Sequence, residues 1–348
     1  MPSVAAAPFD HGRVAETARR KFILPGYRAF QDAAVRLDER IGRLCETPSS
    51  DRLQGARAAY RDVIAAWGRI EIIAFGPVMA ENRYERIFFW PDRKGIGQRQ
   101  VRRILTKKDQ SATTREGLSE KSVAVQGLTA LEIVPYGDGS AALAEPGGDE
   151  FRCRYGDAIA ANLAEIAGTV AKTWADGGAF QKVWSMPGAD NPAYIFPRET
   201  TQELVKALEQ GLGMIRDRRI APSVGLGRDR RRSRPVLGRS KLTFVLVHAN
   251  LAGLRYLFET GGLADAYVAA NDGTEEATGD VSSILSEFKL TLGALAKLAD
   301  EADPFAGDDI KGRLVALGFP LKNIRNQAVG RLKQAAGLSM GFNASDGD

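Results

Sequence analysis

The sequence predicts an all-α protein in which two helical bundles pack against each other. Apolar residues recur at the helical period of about 3.6 residues through most of the chain. No segment alternates between apolar and polar residues for long enough to require a β-sheet. Two stretches rich in glycine or proline, residues 136–150 and 184–197, interrupt the helical pattern. About four long helices on either side of the second stretch indicate two bundles.

Each predicted helix follows from its apolar spacing and from its start and stop signals. Pro25 and Gly26 should kink or interrupt the first helix. Asp51 is a suitable N-cap for the second helix, and Gly76-Pro77 is a clear stop signal after it. Residues 87–90 suit a short extended segment. In chain order, the predicted helices span residues 13–46, 52–75, 96–108, 116–135, 154–175, 198–219, 240–260, 278–300 and 308–336.

The proline-rich stretch 184–197 is the better candidate for a domain boundary. It holds three prolines, and connections of this composition commonly separate domains. We therefore expect an N-terminal bundle of residues 10–184 and a C-terminal bundle of residues 198–345.

The bulk composition is that of an ordinary globular protein. Of 348 residues, 44% are hydrophobic and 26% charged, and the net charge is only +5. Two histidines leave little room for a His-rich metal site. No uninterrupted apolar run reaches the length of about 18 residues that a transmembrane helix requires, and residues 242–258 suggest a buried helix instead. Residues 216–239 hold nine arginines, but without interleaved aromatic residues they predict no nucleic-acid binding.

Two glutamates are predicted to lie within otherwise apolar helix surfaces. One face of the helix 116–135 carries a polar stripe of Gln126, Thr129, Glu132 and Tyr136. On the preceding long helix, Glu71 shares a face with Trp67 and other large side chains. A buried carboxylate must find a partner or take up a proton. The two glutamates therefore predict a polar chamber inside the helical protein, and this chamber is the candidate site.

These residues also carry a resemblance to a known family. Three segments match it in order: Trp67…Glu71…Phe75-Gly76-Pro77, Glu85-Arg86-Ile87…Trp90-Pro91-Asp92 and Gln126-Gly127-Leu128-Thr129-Ala130-Leu131-Glu132. Arg239-Ser240 with residues 249–255, and the C-terminal Gly341-Phe342-Asn343, extend the match. Over nearly its whole length the chain resembles the imelysin-like proteins, and the resemblance implies the two-bundle helical fold.

The family hallmark is Gly-x-His-x-x-Glu, and this chain departs from it. Gly127 and Glu132 match the hallmark, whereas Thr129 stands in place of the histidine. The resemblance implies a metal or ligand site at Glu132. Glu132 could join Glu71 and a third group to hold a cation through oxygen atoms, with iron and zinc as the candidate ions. Zinc hydrolysis requires about three strong protein ligands and an open water position. Because the hallmark histidine and any His-Glu-x-x-His are missing, peptidase activity is not expected.

The second half of the chain supplies the other candidate residues. Arg239 at a helix start could clamp a carboxylate or phosphate. The alternative is structural, namely an ion pair between Glu132 and Arg239 or Arg255. The candidate ligand-binding residues are Glu71, Gln126, Thr129, Glu132, Arg239, Ser240 and Asn250.

The cellular setting is implied by the resemblance alone. The N-terminal residues lack the charged and apolar regions of a signal peptide. Imelysin-like proteins are generally exported, often as periplasmic lipoproteins, so we expect a periplasmic chain already trimmed of its signal. Its expected function is to bind a metal ion or small ligand without catalysis, alongside other cell-envelope proteins of iron or metal uptake. The alternatives are a metal-dependent peptidase and a structural or interaction module.

Cys45 and Cys153 are the only cysteines of the chain. Two independent buried thiols are one interpretation. For an exported protein, a disulfide between them is the other.

Overall fold

Side-chain caps begin several helices of the N-terminal half, including the first, third and ninth in chain order. The computed structural model describes residues 8–92, 94–226, 233–307 and 309–338. Asp10, Ser49 and Asp149 each accept a hydrogen bond from a backbone amide in the first turn of the helix that follows. The helices of this half are α1 His11–Ala18, α2 Leu24–Glu46, α3 Ser50–Ile70, α4 Arg83–Ile87, α5 Ile96–Lys107, α6 Arg115–Ser119, α7 Leu128–Leu131, α8 Ile133–Tyr136, α9 Glu150–Trp174 and α10 Ala179–Ser185.

The C-terminal half is helical as well. Its first helix begins at Pro197, where the missing backbone amide has no helical partner to lose. The helices are α11 Pro197–Gly213, α12 Ala221–Ser223, α13 Thr243–Glu259, α14 Leu263–Ala270, α15 Glu275–Asp300, α16 Ile310–Ile324 and α17 Gly330–Ala335. Short π-helical segments, Arg19–Ile23, Met214–Ile220 and Arg325–Val329, lie beside α2, α11 and α16. Within the described ranges no β-strand occurs, which confirms the all-α prediction.

Three details of the predicted helices were wrong. Asp51 does not cap the second helix, because Ser49 is the N-cap of α3 and Asp51 lies in its first turn. Pro25 and Gly26 do not interrupt the first helix, because Pro25 occupies the first turn of α2 after the π-helical segment Arg19–Ile23. The predicted helix 116–135 is broken into α6, a 3₁₀ turn Val123–Val125, α7 and α8. The break falls at Gly127, whose ψ of −168° is extended rather than helical.

The two bundles meet where α3 crosses α13. In the N-terminal half α2 packs against α3 and α9, and in the C-terminal half α13 packs against α11 and α15. A Cβ atom on Gly68 of α3 would come within 2.8 Å of the Ala249 Cβ on α13. One on Gly253 of α13 would collide with the carbonyl oxygen of Arg69. Only glycine permits so close a crossing, and buried apolar side chains of both halves belong to one core cluster.

The predicted domain limits stay a prediction. Residues 186–196 connect α10 to α11 without helical structure, as expected for a boundary. The last seven residues of the predicted C-terminal bundle, and the Gly341-Phe342-Asn343 segment within them, lie outside the described residues.

The longest apolar stretch of the sequence forms most of α13, whose side chains are largely buried in the core. In the described part of the chain, no helix combines the length and the hydropathy that crossing a bilayer would require.

A disulfide joins Cys45 to Cys153, which is one of the two interpretations of these cysteines given above. Cys45 lies in the last turn of α2, and Cys153 lies in the first turn of α9. The bridge closes a sequence separation of 108 residues. It therefore fastens together two long helices that also pack against each other.

Two carboxylates lie beside each other where α2 packs against α9. Burial raises the pKa of Asp38 to about 6, and the negative charges of Asp157 and Glu39 add to the effect. Burial, with a smaller contribution from the charge of Glu46, also raises the pKa of Asp157. The folded state therefore favours the protonated form of Asp38.

We expect Asp38→Asn to stabilise the protein at neutral pH. The folded-state pKa lies above the ordinary value of 3.8, so the folded protein binds more protons between about pH 4 and pH 6. The free energy of unfolding therefore falls as pH rises through this window. Because Asp38 is only half-buried, the recovered stability should be about 1 kcal/mol. Urea unfolding at about pH 4.5 and pH 7.5, with exposed Asp190→Asn as the control, measures the difference. An equal effect of Asp38→Asn at both pH values would contradict this expectation.

Candidate functional site

Glycine at position 127 sets the position of the hallmark segment. A Cβ atom there would collide with the carbonyl oxygens of Arg86 and Ile87 at the end of α4. The backbone at Gly127 therefore packs directly against the end of α4, and α7 begins at the next residue. Glu132 follows directly, between α7 and α8, and points toward the C-terminal half.

A single oxygen of Glu132 receives three hydrogen-bond donors from one turn. Its Oε1 accepts from the Arg239 amide at 3.1 Å and from the Ser240 amide at 2.9 Å. The Ser240 hydroxyl lies 2.8 Å from the same oxygen. This turn contains two non-glycine residues with left-handed backbone, Leu237 at φ 53° and Lys241 at φ 60°. The carboxylate therefore holds a strained turn of the opposite half in place.

The protonation of Glu132 reflects two opposing influences. Burial raises the pKa of this carboxyl, because only 8% of the residue is exposed. The hydrogen bonds from Ser240 and the positive charge of Arg239 act in the opposite direction. Among the described residues, none donates a hydrogen bond to the second oxygen, Oε2. One face of a buried carboxylate is thus left as an acceptor.

Glu71 belongs to a separate buried network. Its Oε1 accepts from Arg219 Nη2 at 2.6 Å, and its Oε2 accepts from Asn250 Nδ2 at 2.9 Å. Asn250 Nδ2 also lies 2.7 Å from the Gly68 carbonyl oxygen, and Arg219 Nη1 donates to Asn250 Oδ1. Glu71 and Arg219 are each 2% exposed, and Asn250 is fully buried. Both carboxylate oxygens of Glu71 are therefore bound by protein donors from the C-terminal half.

Arg219 is the principal functional-site residue that the sequence reasoning missed. It comes from the π-helical segment Met214–Ile220, and its guanidinium lies 5.2 Å from the Trp90 ring centroid and 5.7 Å from that of Phe88. The cluster of nine arginines concealed it, since nothing in their spacing marks Arg219 out from the other eight. The signal that did exist was Glu71 itself, which required a buried partner.

Gln126 does not share a helix face with Glu132, whereas Thr129 lies one helical turn before Glu132. Gln126 precedes the break at Gly127, and its Nε2 lies 2.5 Å from the Lys121 carbonyl oxygen. Thr129 Oγ1 donates to the carbonyl oxygen of Phe89 at 3.4 Å. The predicted polar stripe is therefore wrong for Gln126, because the extended backbone at Gly127 separates it from the helical turn that carries Thr129 and Glu132.

Glu132 does not form the predicted alternative, an ion pair with the side chain of Arg239 or Arg255. Arg239 contributes its backbone amide to Glu132, whereas the Arg255 side chain pairs with Glu259 at 3.1 Å. The structure thus brings Glu132 together with Arg239 and Ser240, and Glu71 together with Asn250. The two predicted metal ligands, Glu71 and Glu132, serve different hydrogen-bond networks.

The donor set does not fit a resident zinc or iron ion. Such sites take about three or more strong protein ligands. Across the described residues, no group of three or more His, Cys, Asp or Glu side chains is placed to hold a metal ion. One oxygen of Glu132 and both oxygens of Glu71 already accept hydrogen bonds, so they face donors rather than a cation.

Comparison with known proteins places these residues in context. The family model described as Imelysin matches residues 23–331. No curated protein matches the chain. An imelysin-like protein from Psychrobacter arcticum 273-4 has a similar solved structure, with 20% identity, a TM-score of 0.77, and coverage of 97% of this chain and 100% of that one. A protein described as an iron-regulated protein A precursor, from Parabacteroides distasonis ATCC 8503, is similar at 13% identity and a TM-score of 0.74, covering 96% and 97%.

Proposed function

Because the chain belongs to the imelysin family, we propose that it is an exported, non-catalytic member that binds a small polar ligand at Glu132. The free Oε2 of this buried carboxylate carries the proposal, since it is an acceptor with no described donor. A ligand that donates hydrogen bonds, or a metal ion that brings ligands of its own, matches this chemistry.

The absence of catalysis rests on the side chain at position 129. An imidazole there would add a strong ligand at i, i+3 from Glu132, whereas the threonine hydroxyl is weak and bonds to Phe89. With one carboxylate oxygen left open, the site lacks the ligands that hold and activate a hydrolytic water. The peptidase alternative is therefore disfavoured.

The setting that we propose is iron or metal uptake in the periplasm, with other cell-envelope proteins as partners. The iron-regulated protein A precursor shares the fold of this chain and supplies the support for that setting.

A second candidate function is supported by the direction of the two carboxylates. Glu71 and Glu132 both lie in the N-terminal half and both bind donors of the C-terminal half. A module whose carboxylates only tie the bundles together would show the same contacts.

Substitution of the hallmark position separates these two functions. We expect Thr129→His to raise the affinity for Zn²⁺ at least about tenfold, because the imidazole joins the open Oε2 of Glu132. Adding Glu132→Gln should remove this gain while the glutamine oxygen still accepts from Arg239 and Ser240, leaving the helical fold intact. Calorimetric titration with Zn²⁺ measures both effects.

The matched control is Thr278→His, which creates an exposed histidine three residues after Glu275. This exposed pair should bind Zn²⁺ weakly, because both side chains are hydrated and mobile. If Thr129→His binds no better than this control, position 129 does not face an open carboxylate oxygen. Glu132 would then serve only to join the two halves.

A further inference from the structure

Large apolar side chains are exposed on the outer face of α15 and α16. Leu290 on α15 is 75% exposed, and Phe319 on α16 is 70% exposed. The helices run antiparallel, since Asn323 bonds to Glu287 and Arg313 bonds to Glu301. This register places Leu290 and Phe319 within about one helical turn of each other. Val315, one turn before Phe319, is 39% exposed and extends the same surface.

Lysines surround these apolar residues. Helical spacing puts four of them around the outer face: Lys289, Lys297, Lys311 and Lys322. None makes an ion pair with a carboxylate of the described residues. Two acidic side chains of this region have partners of their own, because Glu287 accepts from Asn323 and Glu301 pairs with Arg313.

We propose that the outer face of α15 and α16 binds the surface of a membrane that contains anionic lipids. Exposed leucine and phenylalanine side chains can enter the boundary between headgroups and acyl chains. Lysines beside them attract the negative headgroups. Salt screens this attraction beyond about 10 Å, so it acts only on lysines close to the bilayer surface. The surface thus combines the two interactions that hold a helix pair parallel to a bilayer.

A second copy of the chain fits this surface less well. In a twofold symmetric contact the same patch meets itself, so the lysines of one copy would lie opposite the lysines of the other. A membrane with anionic headgroups offers an apolar region for Leu290 and Phe319 and negative charges for the lysines.

Sedimentation of the full chain with lipid vesicles tests the proposal. We expect binding to vesicles of phosphatidylglycerol and phosphatidylethanolamine that is at least about tenfold stronger than binding to phosphatidylcholine vesicles, and that weakens with added salt. Leu290→Ser with Phe319→Ser should reduce binding about tenfold or more, because the apolar insertion is lost. Lys297→Gln with Lys322→Gln should also weaken binding, by roughly fivefold for each lysine, because the attraction to anionic headgroups is lost.

Control variants distinguish binding through this face from non-specific binding to vesicles. Met186→Ser with Ile195→Ser removes exposed apolar side chains elsewhere, and Lys107→Gln with Lys108→Gln removes two other lysines. Both should bind like the wild-type protein. Equal losses in the controls, or undiminished binding in the Leu290 and Phe319 variant, would overturn the proposal. So would a concentration-dependent dimer that the Leu290 and Phe319 variant abolishes in the absence of vesicles.

Discussion

Replacement of Arg219 by alanine is expected to lower the free energy of unfolding by about 3–5 kcal/mol. The change removes the partner of Glu71 Oε1, which now lies 2.6 Å from the Arg219 guanidinium. Glu71 would then remain in an apolar interior, 2% exposed, with a charge that only Asn250 stabilises. The substitution also removes the positive charge that lies over the Trp90 and Phe88 rings. Urea unfolding followed by circular dichroism measures the loss.

A double-mutant cycle apportions this effect to the pair. Once Glu71→Ala has removed the buried carboxylate, Arg219→Ala should cost much less than it does alone. Arg115→Ala is the surface control, since its partner Glu165 lies 2.6 Å away but both side chains are about half exposed. That control should change stability by less than about 1 kcal/mol. An Arg219→Ala effect as small as the control would show that the buried pair contributes little.

Removal of the disulfide should have a similarly large effect. Replacing Cys45 and Cys153 together by alanine frees a loop of 108 residues in the unfolded chain. In the chain-entropy model this lowers the free energy of unfolding by about 4–5 kcal/mol at 25 °C. Urea unfolding of the oxidised wild-type protein beside the double variant measures the difference.

Reduction supplies the internal control for this experiment. A reductant should destabilise the wild-type protein by a comparable amount and leave the double alanine variant unchanged. Thiol titration under denaturing, non-reducing conditions should find no free thiol in protein from an oxidising compartment. Two free thiols for each chain would contradict the bond between α2 and α9.

The helices and the burial of the two glutamates could be predicted from sequence. Trp67 lies on the buried face of α3, and Glu71 directly follows the last turn of that helix, as the apolar period indicated. Residues 242–258 became a core helix for the same reason. The rule that a buried carboxylate needs a partner held for Glu71, which pairs with Arg219.

The partners of these glutamates could not be predicted. Periodicity describes one helix at a time, whereas Arg219 meets Glu71 across 148 residues of sequence. The break at Gly127 was missed because its cause is the backbone of α4, a tertiary contact that local propensity does not contain. The glycine in the hallmark was the available signal, and its steric meaning emerged only when α4 was placed beside it.

The glycine crossing of α3 and α13 bears on how this chain can be divided or recombined. At Gly253 the contact is between one helix and the main chain of the other, at Arg69, so it depends on both backbones together. A half produced alone would expose this crossing and leave either Glu71 or Arg219 without its counterpart. The halves are therefore not interchangeable modules. A half taken from a distant relative would have to supply the glycine and the charged partner that its own side of the crossing contributes.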